Sequence, residues 1–277
     1  MKPTLLIAGA GYLGQEILRQ AERTWDTHAL TRSGEDQTHP CDLSSAEEVQ
    51  LLTQKIPQPQ EIILCASSGR GGPAAYRAVF LQGAKNLHRA FPEARIHFTS
   101  STSVYHQTDG SSVDEDSSTE PIRETSQILL EAEKAVLRYG GSVARLAGLY
   151  GPDRSVVFRK FMDGSATLEE SGNRILNQIH VRDAATALLH LATLKCNRLF
   201  NVSDNRPLTQ LQTYQVLSEL TGKPLPPRGE KNLSRKRAWT SKAVSNARLR
   251  ATGWHPAFPS FAEAVATFPD LKKEEEK

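Results

Sequence analysis

Thr4-Leu5-Leu6-Ile7-Ala8-Gly9-Ala10-Gly11-Tyr12-Leu13-Gly14 decides the reading of this chain: an apolar strand runs into a Gly-x-Gly-x-x-Gly turn, and a periodic helix follows with Leu13, Ile17, Leu18 and Ala21 on one face. The glycine spacing alone is common. Placed between a strand and a helix, it is the pattern of a dinucleotide-binding turn rather than of a ligand-free glycine loop. Gly9 allows the tight turn, Gly11 lets the backbone approach a pyrophosphate, and Gly14 lets helix pack closely on strand. The backbone N–H groups of this turn, through Tyr12 and Leu13, and the positive end of the helix would hold the phosphates.

Working outward, short runs rich in Val, Ile and Leu alternate with helix-period segments, the sign of consecutive βαβ units and a parallel sheet. After the first strand and helix come a weaker strand near His28–Thr31, a short helix at Glu47–Lys55 and an apolar strand at Glu61–Ala66. A long helix is expected at Tyr76–Phe91, a strand at Arg95–Ser100, a helix at Thr125–Tyr139 and a strand at Ser142–Leu146. The expected fold class is therefore α/β, a Rossmann-type doubly wound parallel sheet. Beyond Tyr150 the alternation loosens, although a helix at Arg182–Thr193, a strand at Leu199–Val202 and a helix near Gln210–Leu220 remain legible. The 277 residues accordingly divide into a dinucleotide-binding domain over 1–150, a smaller substrate-binding lobe over 151–271 with some segments returning to the main sheet, and a charged tail over 272–277. The stretch Gly222–Arg237, rich in proline and cations, reads as a surface loop.

The end of the second strand discriminates between dinucleotides, because NAD enzymes place a carboxylate there, about 20 residues past the loop, to accept the ribose hydroxyls. Here the residues are Thr31-Arg32-Ser33. Arg32 would attract a 2′-phosphate, with the two hydroxyls as further donors. This favours NADP(H), with NAD(H) as the alternative.

Composition narrows the partners. Thirty-four basic and 31 acidic residues leave a formal charge of +3, which gives no electrostatic case for nucleic acid or an anionic membrane. A small-molecule substrate is the expected partner. Cys41, Cys65 and Cys196 match neither a disulfide framework nor a zinc motif, and no His, Cys or carboxylate set has metal-ligand spacing. No apolar run approaches a bilayer span, so a cytoplasmic location is expected.

Phe98-Thr99-Ser100-Ser101-Thr102-Ser103-Val104-Tyr105 puts hydroxyls where a central strand ends, the edge at which open α/β sheets bind ligands. With this cluster the chain resembles the extended short-chain dehydrogenase/reductases, the NAD(P)-dependent epimerases and dehydratases. Matching stretches recur in order: the glycine loop, Cys41-Asp42-Leu43, Thr99–Tyr105, Arg145–Pro152, Ile179–Asp183, Phe200-Asn201-Val202 and Gly253-Trp254-His255-Pro256. The resemblance implies an adenine contact for Asp42, which could equally cap the next helix. It implies a catalytic role for Ser101 in holding the reacting oxygen.

The chain departs from this family at its catalytic tyrosine–lysine pair. Counted back from Glu133, the tyrosine position falls at Thr125 and the lysine position at Leu129. The pattern is that of the atypical members, which keep the glycine loop and the serine and replace the pair. Tyr105 is then the chemically most credible proton donor, with Thr125 or Arg123 as hydrogen-bonding groups. The resemblance further implies an oxidoreductase, epimerase or dehydratase acting on a sugar or nucleotide-sugar-like molecule, and a homodimer through the helices at Tyr76–Phe91 and Thr125–Tyr139. The missing pair keeps open a second reading, a non-catalytic NADP(H)-sensing regulatory protein. His180 and Asp183 are read as packing and helix-start residues.

Overall fold

The computed structural model describes residues 1–35, 37–69, 71–231 and 239–272. In chain order its elements begin with β1 (Thr4–Ala8), α1 (Tyr12–Ala21), β2 (Asp26–Thr31), β3 (His39–Pro40), α2 (Ala46–Leu51), β4 (Glu61–Leu64), α3 (Pro73–Tyr76) and α4 (Gly83–Ala90). There follow β5 (Arg95–Ser101), β6 (Ser112–Val113), α5 (Glu124–Arg138), β7 (Ser142–Leu146), β8 (Gly148–Tyr150), α6 (Val156–Met162), β9 (Leu168–Glu169), β10 (Ile175–Leu176) and β11 (Gln178–His180). The last are α7 (Val181–Leu194), β12 (Leu199–Val202), β13 (Leu208–Thr209), α8 (Gln210–Thr221), β14 (Arg228–Gly229), β15 (Ala243–Val244), α9 (Ala247–Arg250), α10 (Phe261–Val265) and α11 (Pro269–Lys272).

Two compact units share these elements: one holds 1–104, 120–145 and 185–200, the other 105–119, 146–184 and 201–277. The division is thus interleaved, because Tyr105–Thr119 joins the second unit and Ala185–Phe200 returns to the first. The cationic stretch at 232–238 and the tail at 273–277 lie outside the described residues.

The first unit is a doubly wound α/β body around a seven-stranded sheet of order β12-β7-β5-β4-β1-β2-β3. β3, β2, β1, β4 and β5 run parallel, with Leu5 to Ala8 paired to Thr27–Leu30 on one side and Glu61–Leu64 on the other. Every residue of β1 and β4 is buried. That explains the absence of polar–apolar alternation in their sequences: helices cover both faces. The order reverses at β1 and β4, which opens the crevice where such sheets bind ligands.

Two polar networks lace this sheet. At the amino ends of the strands, His97 of β5 lies 2.7 Å from Ser142 Oγ of β7 and 2.8 Å from Glu61 Oε2 of β4, while Arg95 also pairs with Glu61. Nearer the carboxyl ends, Arg145 of β7 donates to Glu133 of α5 from Nε and Nη2, at 3.0 and 2.7 Å, and the Ser100 hydroxyl donates to the same carboxylate at 2.5 Å. Glu133 and Arg145 are 3% and 4% exposed, so neither charge has water to fall back on.

The helix expected at Tyr76–Phe91 is interrupted: α3 passes into a π-helical segment, Arg77–Gln82, before α4 begins. One extra residue per turn there keeps Phe80 and Leu81 buried on one side and Gly83, Ala84 and Leu87 buried beyond it.

In the second unit, short strand pairs (β8–β11, β10–β13, β9–β14, β6–β15) frame a core of Tyr150, Phe158, Phe161, Leu168, Tyr214 and Leu217 with Phe261 and Phe268. At two or three residues each, these strands are too short for a periodic signal, and only tertiary pairing makes them. α8 is fully specified locally, with a capping box from Thr209 to Gln212 and a left-handed Gly222 at its end.

Candidate cofactor site in the first unit

The glycine turn is built tightly. Gly9 has φ +119°, and a Cβ there would stand 2.3 Å from the Ala66 amide nitrogen, in the strand-end loop after β4. A Cβ on Gly14 would stand 2.2 Å from the Gly9 carbonyl oxygen. These two glycines let strand, turn and helix meet. Gly11 differs, because a Cβ there would find nothing within 4 Å. Among the described residues no contact requires a glycine at 11, and its exposed backbone borders open space. Gly11 is the N-cap of α1, no side chain caps that helix start and no acidic residue stands in its first turn. The positive helix end thus faces this space without a carboxylate of its own, which fits a phosphate group. Tyr12 and Leu13 open the helix; Leu13 buries its side chain, so its backbone amide is what it offers to a ligand.

Arg32 is exposed just beyond β2. The Thr31 hydroxyl holds the turn that carries it, accepting from the Gly34 amide at 2.9 Å and lying 2.6 Å from Thr38 Oγ1. Asp42 accepts from the Ser44 amide and hydroxyl at 2.8 and 2.7 Å; these bonds first, and the nearby Arg32 charge after them, hold its carboxyl below the usual range. Asp42 does not cap α2. Ser45 does, accepting from the Glu48 amide.

Ser101 ends β5, half-buried, and its Oγ accepts from the Ser103 amide at 3.2 Å. Thr125, also half-buried, stands in the first turn of α5 behind Arg123, the N-cap, and Ser126 ties that turn to the Ser103 carbonyl. Leu129, at the lysine position, is 4% exposed. Tyr105 belongs to the second unit: fully buried, it donates its hydroxyl to Asn201 Oδ1 at 2.9 Å, while Lys242 Nζ donates to its carbonyl at 2.8 Å. The O–H expected to serve as a proton donor is thus bonded inside the core.

Asp183 stands in the first turn of α7 and accepts from the Ala257 and Phe258 amides, while the His180 ring packs 4.5 Å from that of Phe258. Burial pushes the Cys41 and Cys65 thiols up to about 11 and about 12, which leaves them inert near neutral pH. Ala66, the second wall of the glycine crevice, was not singled out by the sequence. The legible signal was a small residue closing the apolar strand expected at Glu61–Ala66. Among the described residues, no group of three or more His, Cys, Asp or Glu could hold a metal, and no helix is long and apolar enough to cross a membrane.

Comparisons with known proteins agree with this architecture. The sequence model of the NAD dependent epimerase/dehydratase family matches residues 5–203. No curated protein sequence matches the chain. Among solved structures, UDP-glucose 4-epimerase of Thermotoga maritima, determined with UDP-glucose, is similar at a TM-score of 0.81 with 16% identity, over 99% of this chain and 100% of that one. A human epimerase family protein with NADPH is similar at 0.80 with 16% identity, over 96% and 99%. The dTDP-glucose 4,6-dehydratase of Bacillus anthracis, in complex with NAD, is similar at 0.79 with 15% identity, over 99% and 97%. At these identities the likeness is one of fold.

Proposed function

Because the chain belongs to the NAD dependent epimerase/dehydratase family, we propose that it binds NADP(H) at the glycine turn of the first unit and uses it in the oxidation–reduction of a sugar or nucleotide-sugar-like small molecule. The observation that carries this reading is the build of the glycine turn: Gly9 and Gly14 are required by the protein's own packing, whereas Gly11, exposed at the uncapped start of α1, leaves backbone accessible to a phosphate. Arg32 would take the 2′-phosphate and Asp42, beside it, the adenine. Its relatives differ in cofactor, NADPH in the human protein and NAD in the dehydratase, and a cation where a carboxylate would accept ribose hydroxyls supports the phosphorylated form.

When bound, the nicotinamide supplies or accepts the hydride. Ser101 at the end of β5 would hold the substrate oxygen through its hydroxyl, and Thr125 would add a second hydrogen bond from the start of α5. We assign Tyr105 to holding the chain after Ser101, since its hydroxyl is bonded to Asn201.

Titration calorimetry with NADPH, NADP⁺, NADH and NAD⁺ tests the cofactor. Arg32→Ala should weaken NADP(H) binding by ~1.5–3 kcal/mol, the range for a hydrogen bond to a charged group, and leave NAD(H) nearly unchanged. Failure of all four to bind would make the turn purely structural. A sensor without turnover is the second reading, favoured by one observation: Leu129 is packed in the core where the lysine would act. Ser101→Ala separates the two. An enzyme should lose turnover on a sugar-nucleotide panel by roughly 10²-fold or more while binding cofactor as before; a sensor has no turnover to lose.

A further inference from the structure

Two carboxylates and a phenol lie enclosed in the second unit: Asp204 after β12, Asp183 in the first turn of α7 and Tyr150 at the end of β8, each 2% exposed or less. Parallel pairing sets Tyr150 beside His180 and Gly148 beside Gln178, so the Tyr150, Gln178 and His180 side chains share one face. The Asp204 amide donates to the Gln178 carbonyl at 2.9 Å, which brings its turn against the same strand. His180 fills its place with ring contacts to Tyr150 and Phe258, and Asp183 is engaged by two backbone amides. By contrast, the Tyr150 hydroxyl, Gln178 Nε2 and Asp204 Oδ1 are buried with no hydrogen-bond partner among the described residues.

The groups around Asp204 give little support to a negative charge. Its own turn supplies Arg206, whose side chain is 63% exposed and paired with Glu263 of α10. α7 contributes a second carboxylate, Asp183, and Arg182, which lies over the Phe258 ring. β8 and β11 contribute Tyr150 and His180, and the Arg206 and Phe261 amides favour the charged form only in part. A carboxylate sealed with an unpartnered oxygen beside another carboxylate is held neutral. The same turn gathers distant segments: Asn246 Nδ2 donates to the Ser203 carbonyl at 2.8 Å, Ser203 Oγ to the Val244 carbonyl at 3.2 Å, and the Asn205 and Arg206 amides to the Pro259 carbonyl.

We infer that Asp204 is an acid-form latch: neutral, it closes the Asn201–Arg206 turn onto β15, α9 and the Pro259 segment, and its ionisation opens that turn. Desolvation first, and the neighbouring Asp183 charge, push its carboxyl up to about 8, so the latch releases on the alkaline side of neutrality. The unfolded chain ionises in the ordinary carboxylate range. Between that range and about 8 the folded protein therefore holds one more proton than the unfolded chain, and its stability falls with rising pH. Above about 8 both states are ionised and this dependence ends.

The test is urea denaturation of the full chain and of Asp204→Asn from about pH 5 to pH 9. The amide keeps the shape without a titrating proton, so the wild-type folding constant should fall about tenfold more per pH unit than the variant's up to about pH 8, then run parallel. Parallel lines throughout would overturn the inference. Should the variant fail to fold, the infrared band of a protonated carboxyl in the wild type decides: it should be present near pH 6 and titrate away near 8, and its absence near pH 6 would equally overturn it.

Discussion

Gly9→Ala is expected to destabilise the protein by roughly 3 kcal/mol or more and to abolish dinucleotide binding, whereas Gly11→Ala should fold with near-native stability and lose binding alone. The two glycines stand two residues apart in one motif, and their environments are opposite. At Gly9 an added methyl would lie 2.3 Å from a backbone nitrogen of the neighbouring loop, on a residue at φ +119°. Overpacking adds about 1–3 kcal/mol and an unfavourable backbone region about 1–3 more. Backbone cannot swing aside as a flexible side chain could. At Gly11 the backbone is extended, at φ −79°, and the methyl meets nothing within 4 Å, so a stability change within ~0.5 kcal/mol is expected. Chemical denaturation paired with calorimetry reads both numbers. Equal stability losses in the two variants would mean that Gly11 is also structural, and the case for a phosphate at that position would fall with that result.

Arg145→Met should lower stability by ~3–5 kcal/mol, the cost of stranding a buried charge. Glu133 would remain sealed among α5, β5 and β7, with the Ser100 hydroxyl still bonded to it. Adding Glu133→Leu should restore most of the loss, because a buried pair removed together takes its desolvation cost with it. A double variant as unstable as the single one would show that the pair's geometry, and not its charge balance, holds these elements. Since β5 ends in Ser101 and α5 begins beside Thr125, the single variant should also disturb cofactor binding if those residues line the site.

The central sheet was legible because its strands are buried on both faces and its helices are amphipathic. β1, α1, α5, α7, α8 and β12 fall within about two residues of their expected bounds for that reason. The π-helical step at Arg77–Gln82 left no such mark, since its period is set by what Phe80 and Leu81 pack against. Glu133 and Arg145 illustrate the same division. The helix carrying Glu133 could be read from periodicity, but its partner, twelve residues away on a strand, could not. Tyr105 shows the limit most clearly. Given the family resemblance it was the most credible proton donor near Ser101, and its engagement came from Asn201, ninety-six residues later.

By itself, the sequence determined the α/β class, the strand–glycine–helix turn and the cation at the end of β2. All of these rest on neighbours in the chain: periodicity, spacing and residue type within one turn or strand. The tertiary structure decided the rest. It fixed which glycines are packed and which is free, routed Tyr105–Thr119 and Ala185–Phe200 between two units, buried Leu129, bonded Tyr105 to Asn201 and enclosed Asp204. The physical reason is common to them. Burial and hydrogen-bond satisfaction depend on groups brought together across the fold, and no local pattern records who those neighbours will be.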